Sequence, residues 1–214
     1  MFRSKSLAFL VLASLTFFLA SQSASASECS PPPGFVDIPH PTIAPAEQLV
    51  SHTEEITVDR TILDLLDSAS KKSLKDTIRK GGSLPTVAGE YVLTQTPFGI
   101  PGARRLVCLT DGSTLEEQVL ERQQSDHAYH FRYVVWNYTT KQARPIEYGV
   151  GDFEYSDLGA GRTRIVWTYS FKLKDHEFPG YLGAFGRYLF RVTFLDRQYA
   201  EMMRETLKEN RTRD

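Results

Sequence analysis

The clearest alternation in the chain runs over residues 164–174. Ile165, Trp167, Tyr169, Phe171 and Leu173 fall on one side, and Arg164, Val166, Thr168, Ser170, Lys172 and Lys174 on the other. Successive side chains of a strand point to opposite faces, so this segment predicts a strand with one deeply apolar face and one wet face. That suits an antiparallel sheet covered on a single side. Residues 127–138 behave similarly: Tyr129, Phe131, Tyr133 and Val135 alternate with His130, Arg132 and Val134. Further strands are predicted over residues 50–58, 86–95, 103–110, 113–122 and 147–156, divided by turn residues. Asp111-Gly112 predicts a two-residue hairpin turn. In that register Arg104 opposes Val119, Leu106 opposes Glu117, and Arg104 and Glu117 share a face one diagonal step apart.

The period changes to helical in three places. After the first strand, Asp59 or Thr61 can cap a helix with Ile62, Leu65 and Leu66 as its apolar stripe. A second short helix is predicted from Ser70 to Arg79, anchored by Leu74 and Ile78 and stopped by Gly81-Gly82. Its other face carries Lys71, Lys72, Lys75, Arg79 and Lys80. That is either a solvated face or a patch for anionic lipid headgroups, which leaves a transient membrane-surface contact open. After Pro179, Leu182, Phe185, Leu189, Val192, Leu195, Tyr199, Met202 and Leu207 recur at helical spacing and predict one helix long enough to cross the sheet. Gly180, Gly183 and Gly186 line one strip of its start. They predict either a frayed turn or a bare strip for close approach by a ligand.

The N-terminus changes the compartment. Arg3 and Lys5 precede an apolar run over residues 7–20, and Ala24-Ser25-Ala26 fits a small-x-small cleavage site. Residues 1–26 therefore read as a secretory signal peptide, cleaved after Ala26, for a periplasmic or secreted protein. Residues 27–48 contain six prolines and read as an extended tether, followed by one domain over residues 49–208 and a tail over 209–214. Removing Arg3 and Lys5 from the 25 basic residues leaves 23 against 26 acidic, a net charge near −3 that gives no nucleic-acid footprint. Cys29 in the tether and Cys108 in a strand predict two unpaired thiols, although an oxidising compartment would permit a bridge. No CxxC, HExxH, Walker A, GxSxG or GxGxxG occurs, and the pattern calls for no metal and no cofactor.

Several stretches carry a resemblance. They are Gly102-Ala103-Arg104-Arg105, then Leu109-Thr110-Asp111-Gly112-Ser113, then Leu115-Glu116-Glu117-Gln118-Val119. Phe131-Arg132-Tyr133-Val134-Val135 follows, and finally Thr163-Arg164-Ile165-Val166-Trp167 ahead of Ser170-Phe171. In this order the chain resembles the START/Bet v 1-like (SRPBCC) superfamily, in its polyketide cyclase/dehydrase and lipid-transport branch, over residues 49–207. The resemblance implies an α+β helix-grip fold. Its seven-stranded antiparallel sheet curls around a long C-terminal helix, with two short helices after strand 1, and encloses an apolar cavity. The family pattern places its arginine where Arg105 stands, which the hairpin register puts on the opposite face, so the sequence leaves open which of Arg104 and Arg105 faces inward and whether Arg104 and Glu117 are a surface pair. The chain departs from the family in its signal peptide and tether, and in having Leu65 or Leu66 where relatives often carry a tryptophan.

The cavity so implied gives the candidate site: Tyr129, Phe131, Tyr133, Trp167, Tyr169 and Phe171 from the strands, Phe185 and Leu189 from the helix, and Arg104 and Glu117 as a charged pair. Phe98 and Ile100, in a loop broken by Pro97, Gly99, Pro101 and Gly102, are expected over the mouth. His52, Tyr129, Tyr133, Asp152 and Glu154 could move protons, but no spacing ties them into a constellation, so no catalytic residue is assigned. The expected function is an exported binding protein for a hydrophobic small molecule: a lipid, isoprenoid or polyketide-like compound. The alternatives are a cyclase- or dehydratase-like enzyme using the same cavity, and a non-catalytic accessory protein to an exported enzyme.

Overall fold

The computed structural model describes residues 29–78 and 83–211. The expected signal peptide, Arg79, Lys80 and the Gly81-Gly82 stop lie outside the described residues. Strand β1 (Val50–Val58) leads through Thr61, whose hydroxyl accepts from the Asp64 amide at 3.2 Å, into α1 (Ile62–Ser70) and the single turn α2 (Leu74–Thr77). Six strands follow: β2 (Val87–Val92), β3 (Arg104–Leu109), β4 (Thr114–Gln124), β5 (Ala128–Trp136), β6 (Ile146–Gly159) and β7 (Arg162–Leu173). They form one antiparallel sheet in the order β1-β7-β6-β5-β4-β3-β2. The C-terminal helix lies in its concave face, so the expected helix-grip architecture is the observed one.

That helix is not a regular cylinder. It comprises α3 (Gly183–Phe190), a π-helical stretch over Arg191–Tyr199, and α4 (Ala200–Lys208). Gly183 starts it at φ +60°, and the wider π turns shift the register of whatever precedes them. From Leu195 onward the expected apolar positions are buried. Before it, Phe190 takes the core position, and Phe185 is 63% exposed.

The β3–β4 turn differs from expectation by one residue. Leu109 N–H donates to Ser113 O at 2.8 Å, and Thr110, Asp111 and Gly112 form a three-residue loop with Gly112 at φ +81°. The pairs become Arg104 with Gln118, Arg105 with Glu117 and Leu106 with Glu116. A slip of one residue exchanges the faces of every side chain on a strand. Arg105, not Arg104, therefore faces inward with Glu117.

The second departure concerns the convex face. The concave core includes Ile165, Trp167, Tyr169, Phe171 and Leu173 with Leu195, Met203 and Leu207 from the helix. Val134, Trp136, Tyr148 and Val150 form a separate buried cluster on the other side, where a wet face is expected. Their cover is the proline-rich segment, which is no free tether. Ile38 O accepts from Trp136 Nε1 at 3.1 Å, the Ala44 amide donates to Tyr148 Oη at 2.7 Å, and the His40 ring meets Trp136 edge-on at 5.9 Å. Cys29 is bonded to Cys108 with Cα atoms 5.6 Å apart, which replaces the two unpaired thiols expected. The sequence expectation fails because proline forbids ladder hydrogen bonds, not packing: the segment is extended, and it is anchored by side chains.

Arg104 locks the arm down. Its Nη2 contacts Asp37, donates to Ile38 O at 3.0 Å and meets the buried Glu116, while its guanidinium carbon stands 5.2 Å above the Trp136 ring. Burial raises the Glu116 pKa against the opposing pull of Asn137, which donates to it at 2.7 Å, and of Arg104. Cys29→Ser is expected to lower stability by about 2–5 kcal/mol, as for other native bridges that close long loops. Urea unfolding measures it. Dithiothreitol should bring the wild type to the variant's midpoint and leave the variant unchanged.

Candidate functional site

The curled sheet and its helix leave a cavity of about 150 Å³ between them. Its walls come from alternate, inward-facing positions: Val107 and Leu109 of β3, Leu115 and Glu117 of β4, Tyr133 and Val135 of β5, and Trp167, Tyr169 and Phe171 of β7. Phe194, Tyr199 and Met202 close it from the helix. Ile78, Leu84 and Pro85 close it from the α2–β2 connection, and Thr140, Gln142 and Ala143 from the β5–β6 connection. The lining is overwhelmingly apolar, with a few phenolic hydroxyls, one carboxylate and the polar side chains of Thr140 and Gln142.

Two glycines of β6 shape this wall. Gly151 pairs with both Tyr133 and Tyr169, and a Cβ there would lie 2.1 Å from Tyr133 Cζ. At Gly149 a Cβ would lie 2.7 Å from Tyr169 Cε1 and 2.9 Å from the hydroxyls of both Tyr138 and Tyr169. The missing side chains thus let aromatic rings from the flanking strands lie flat across β6. Tyr138 arrives by an irregularity. Strict alternation would send it outward after Trp136, but Asn137 takes φ +53° and turns it back into the cavity.

Burial pushes the phenols of Tyr133, Tyr138, Tyr169 and Tyr199 upward, and for Tyr133, Tyr138 and Tyr199 the Glu117 carboxylate adds to the effect. All four stay protonated at physiological pH and present O–H groups inside an apolar enclosure. Glu117 accepts from Arg105 Nε at 2.6 Å, and Arg105 Nη1 donates to Glu90 at 2.5 Å. Burial works against the Arg105 charge, but the two carboxylates outweigh it and hold the guanidinium more firmly protonated. Glu90 also accepts from the Leu74 amide at 3.2 Å, so this line of charge ties β4, β3 and β2 to α2 beside the cavity.

The candidate residues divide accordingly. Glu117, Tyr133, Trp167, Tyr169 and Phe171 line the cavity. Tyr129 and Phe131 share the same concave face but stack on each other, 6.4 Å apart and nearly parallel, outside the cavity walls. Arg104 points to the convex face. Phe185 is exposed and Leu189 half-buried, and neither contributes to the wall, because the helix begins in a different register. Phe98 lies under the Arg105 guanidinium, 3.5 Å from its carbon, and edge-on to Phe131 at 6.4 Å. Neither Phe98 nor Ile100 lines the cavity, so this loop does not cover it. The glycine strip is occupied at two of its three positions: a Cβ at Gly180 would strike Lys174 O at 2.2 Å and one at Gly186 Pro179 O at 1.7 Å, while one at Gly183 would meet nothing within 4 Å. Gly180 and Gly186 let the chain's own turn pack against the helix start.

Of the groups that could move protons, Tyr133 alone lines the cavity. Asp152 and Glu154 face outward, where Asp152 meets His130 at 3.0 Å. His52 joins a cluster that spacing along the chain could not reveal, with Nδ1 2.7 Å from Asp196 and Nε2 2.7 Å from Glu54. Arg204 adds a contact to Glu54 at 2.6 Å and Arg191 one to Asp196 at 3.3 Å, fastening β1 to the π-helical stretch.

No protein-family model matches the chain, and no curated protein is significantly similar in sequence. Solved structures resemble it in fold. The aromatase/cyclase di-domain protein StfQ of the steffimycin biosynthetic pathway is 14% identical with a TM-score of 0.53, covering 78% of this chain and 51% of that one. A hypothetical protein of Helicobacter pylori is 12% identical with a TM-score of 0.51, covering 83% and 98%. Ara h 8.0201 is 14% identical with a TM-score of 0.49, covering 76% and 97%. The chain has the helix-grip fold.

Two expectations follow from the wall. Gly151→Ala should destabilise the domain by about 1–3 kcal/mol through overpacking against Tyr133, and Tyr133→Leu in the same chain should recover part of that loss. Arg105→Met should cost about 3–5 kcal/mol by stranding Glu117, and the Arg105→Met/Glu117→Leu double variant should lose much less. Urea unfolding of each protein checks both.

Proposed function

We infer that the protein is an exported carrier of a compact hydrophobic small molecule, held in the cavity between the sheet and the C-terminal helix. The observation that carries this reading is the cavity itself, an apolar space walled by rings, with phenol hydroxyls, Glu117, Thr140 and Gln142 as its few polar groups. An apolar cavity of about 150 Å³ takes a guest near the size of benzene. The ligand class this favours is a single ring or a short chain with one oxygen function that can meet a tyrosine hydroxyl. A long lipid or isoprenoid would need the wall at Ile78, Leu84 and Pro85 to move aside. The Cys29–Cys108 bridge supports export, because such bridges persist in oxidising compartments.

Native mass spectrometry of protein recovered from its own host tests the binding. The expected result is a non-covalent adduct of a small apolar compound, reduced at least about tenfold in Ala143→Phe, which fills the space from the β5–β6 side. A single adduct-free mass, together with no uptake of any apolar fluorescent probe, would refute the reading. N-terminal sequencing of the exported form is expected to begin at Ser27, and an intact Met1 would count against export by cleavage.

A further inference from the structure

The turn after β7 and the first half of α3 expose five large apolar side chains side by side. Phe178 and Tyr181 are each 59% exposed, Leu182 36%, Phe185 63% and Tyr188 61%. Phe185 and Tyr188 stand three apart on α3, and in the turn before Gly183 the Phe178 ring lies 6.1 Å from that of Tyr181. The ridge is held in place, since Gly180 and Gly186 permit backbone contact between the turn and the helix that any side chain would prevent. Such a group of exposed aromatics needs a partner.

The charges around it indicate which. Beside the ridge a polar hollow of about 200 Å³ is lined by Gln48, Lys172, Asp175, Gly180 and Arg187. Asp175 is engaged by Lys172 at 3.3 Å, and Glu177 by Arg144 at 3.1 Å. Among the described residues, Lys174 and Arg187 make no ion pair, so the surplus charge at this edge is positive. Aromatic side chains with guanidinium and ammonium groups at their margin match the boundary between acyl chains and anionic headgroups. We propose that the ridge formed by Phe178, Tyr181, Leu182, Phe185 and Tyr188 seats the protein on an anionic bilayer surface, with a headgroup phosphate in the hollow at Lys172 and Arg187. The Arg144–Glu177 pair joins this turn to the β5–β6 connection that walls the cavity, so the docked face adjoins the ligand site.

The test is flotation of the mature protein with two kinds of vesicle, phosphatidylcholine alone and phosphatidylcholine with phosphatidylglycerol in equal parts. The expected result is binding to the anionic vesicles that weakens with added salt. It should fall at least about tenfold in Phe185→Ser/Tyr188→Ser, and also in Arg187→Glu. Both variants should keep the wild-type thermal midpoint, because Phe185 and Tyr188 are exposed and the half-buried Arg187 makes no ion pair among the described residues. No flotation with either vesicle overturns the proposal. So does equal binding to both vesicles with Arg187→Glu unaffected, or a wild-type dimer that Phe185→Ser/Tyr188→Ser makes monomeric. Native mass spectra separate this from the carrier reading: a wild-type protein that floats but carries no adduct counts against the cavity alone, and variants that lose flotation but keep the adduct are the expected signature of the ridge.

Discussion

Two consecutive arginines on one strand must point to opposite faces of a sheet, and in this protein both faces are buried. Arg104 and Arg105 are thus the constraint to which the rest of the structure answers. Each needs a carboxylate on its own side, and the next strand supplies them as consecutive residues, Glu116 outward and Glu117 inward. Neither pair forms unless the β3–β4 loop contains three residues. The position of Gly112 in the left-handed region is therefore tied to the charge balance of both cores. A buried guanidinium left without its partner is among the costlier errors a fold can contain, so the hairpin has one acceptable register.

The two faces use their charge differently. Outside, Arg104 gathers Asp37, Ile38 O and the Trp136 ring, converting a proline-rich segment into a fitted cover for Trp136 and Tyr148. Inside, Arg105 reaches through Glu90 to the start of α2, beside Ile78 in the cavity wall. One hairpin thereby connects the stability of the arm to the shape of the binding space. The His52 cluster performs a comparable task at the other edge of the sheet, clamping β1 to the π-helical stretch from which Phe194 and Tyr199 enter the wall.

The strands and their inward residues were legible in the sequence because alternation is a local property: Trp167, Tyr169 and Phe171 could be assigned to the concave face from their spacing alone. The same logic missed what broke the period. Asn137 at positive φ reverses Tyr138, and the π turns after Arg191 rotate the first part of the helix, so Phe185 faces solvent where a straight helix would bury it. The turn length at Gly112 was ambiguous by one residue, and that single residue exchanged Arg104 for Arg105. The bridge and the arm lay beyond local reading altogether, since Cys29 and Cys108 are 79 residues apart and proline content speaks to backbone pairing, not to docking. The hollows at Gly149 and Gly151 have a faint signature, two glycines at alternate positions of a strand. Nothing in the sequence says which rings would fill them.

The single bridge bears on how the protein matures. Cys29 precedes all of β1, α1, α2 and β2 in the chain, and its partner Cys108 follows only in β3. With two cysteines in the chain there is one intramolecular pairing, so no scrambled isomer has to be undone. Oxidation needs an electron acceptor but no isomerase. Trp136 and Tyr148 follow Cys108 in the chain, so the cover can be fastened at its near end before the surface it protects has been made.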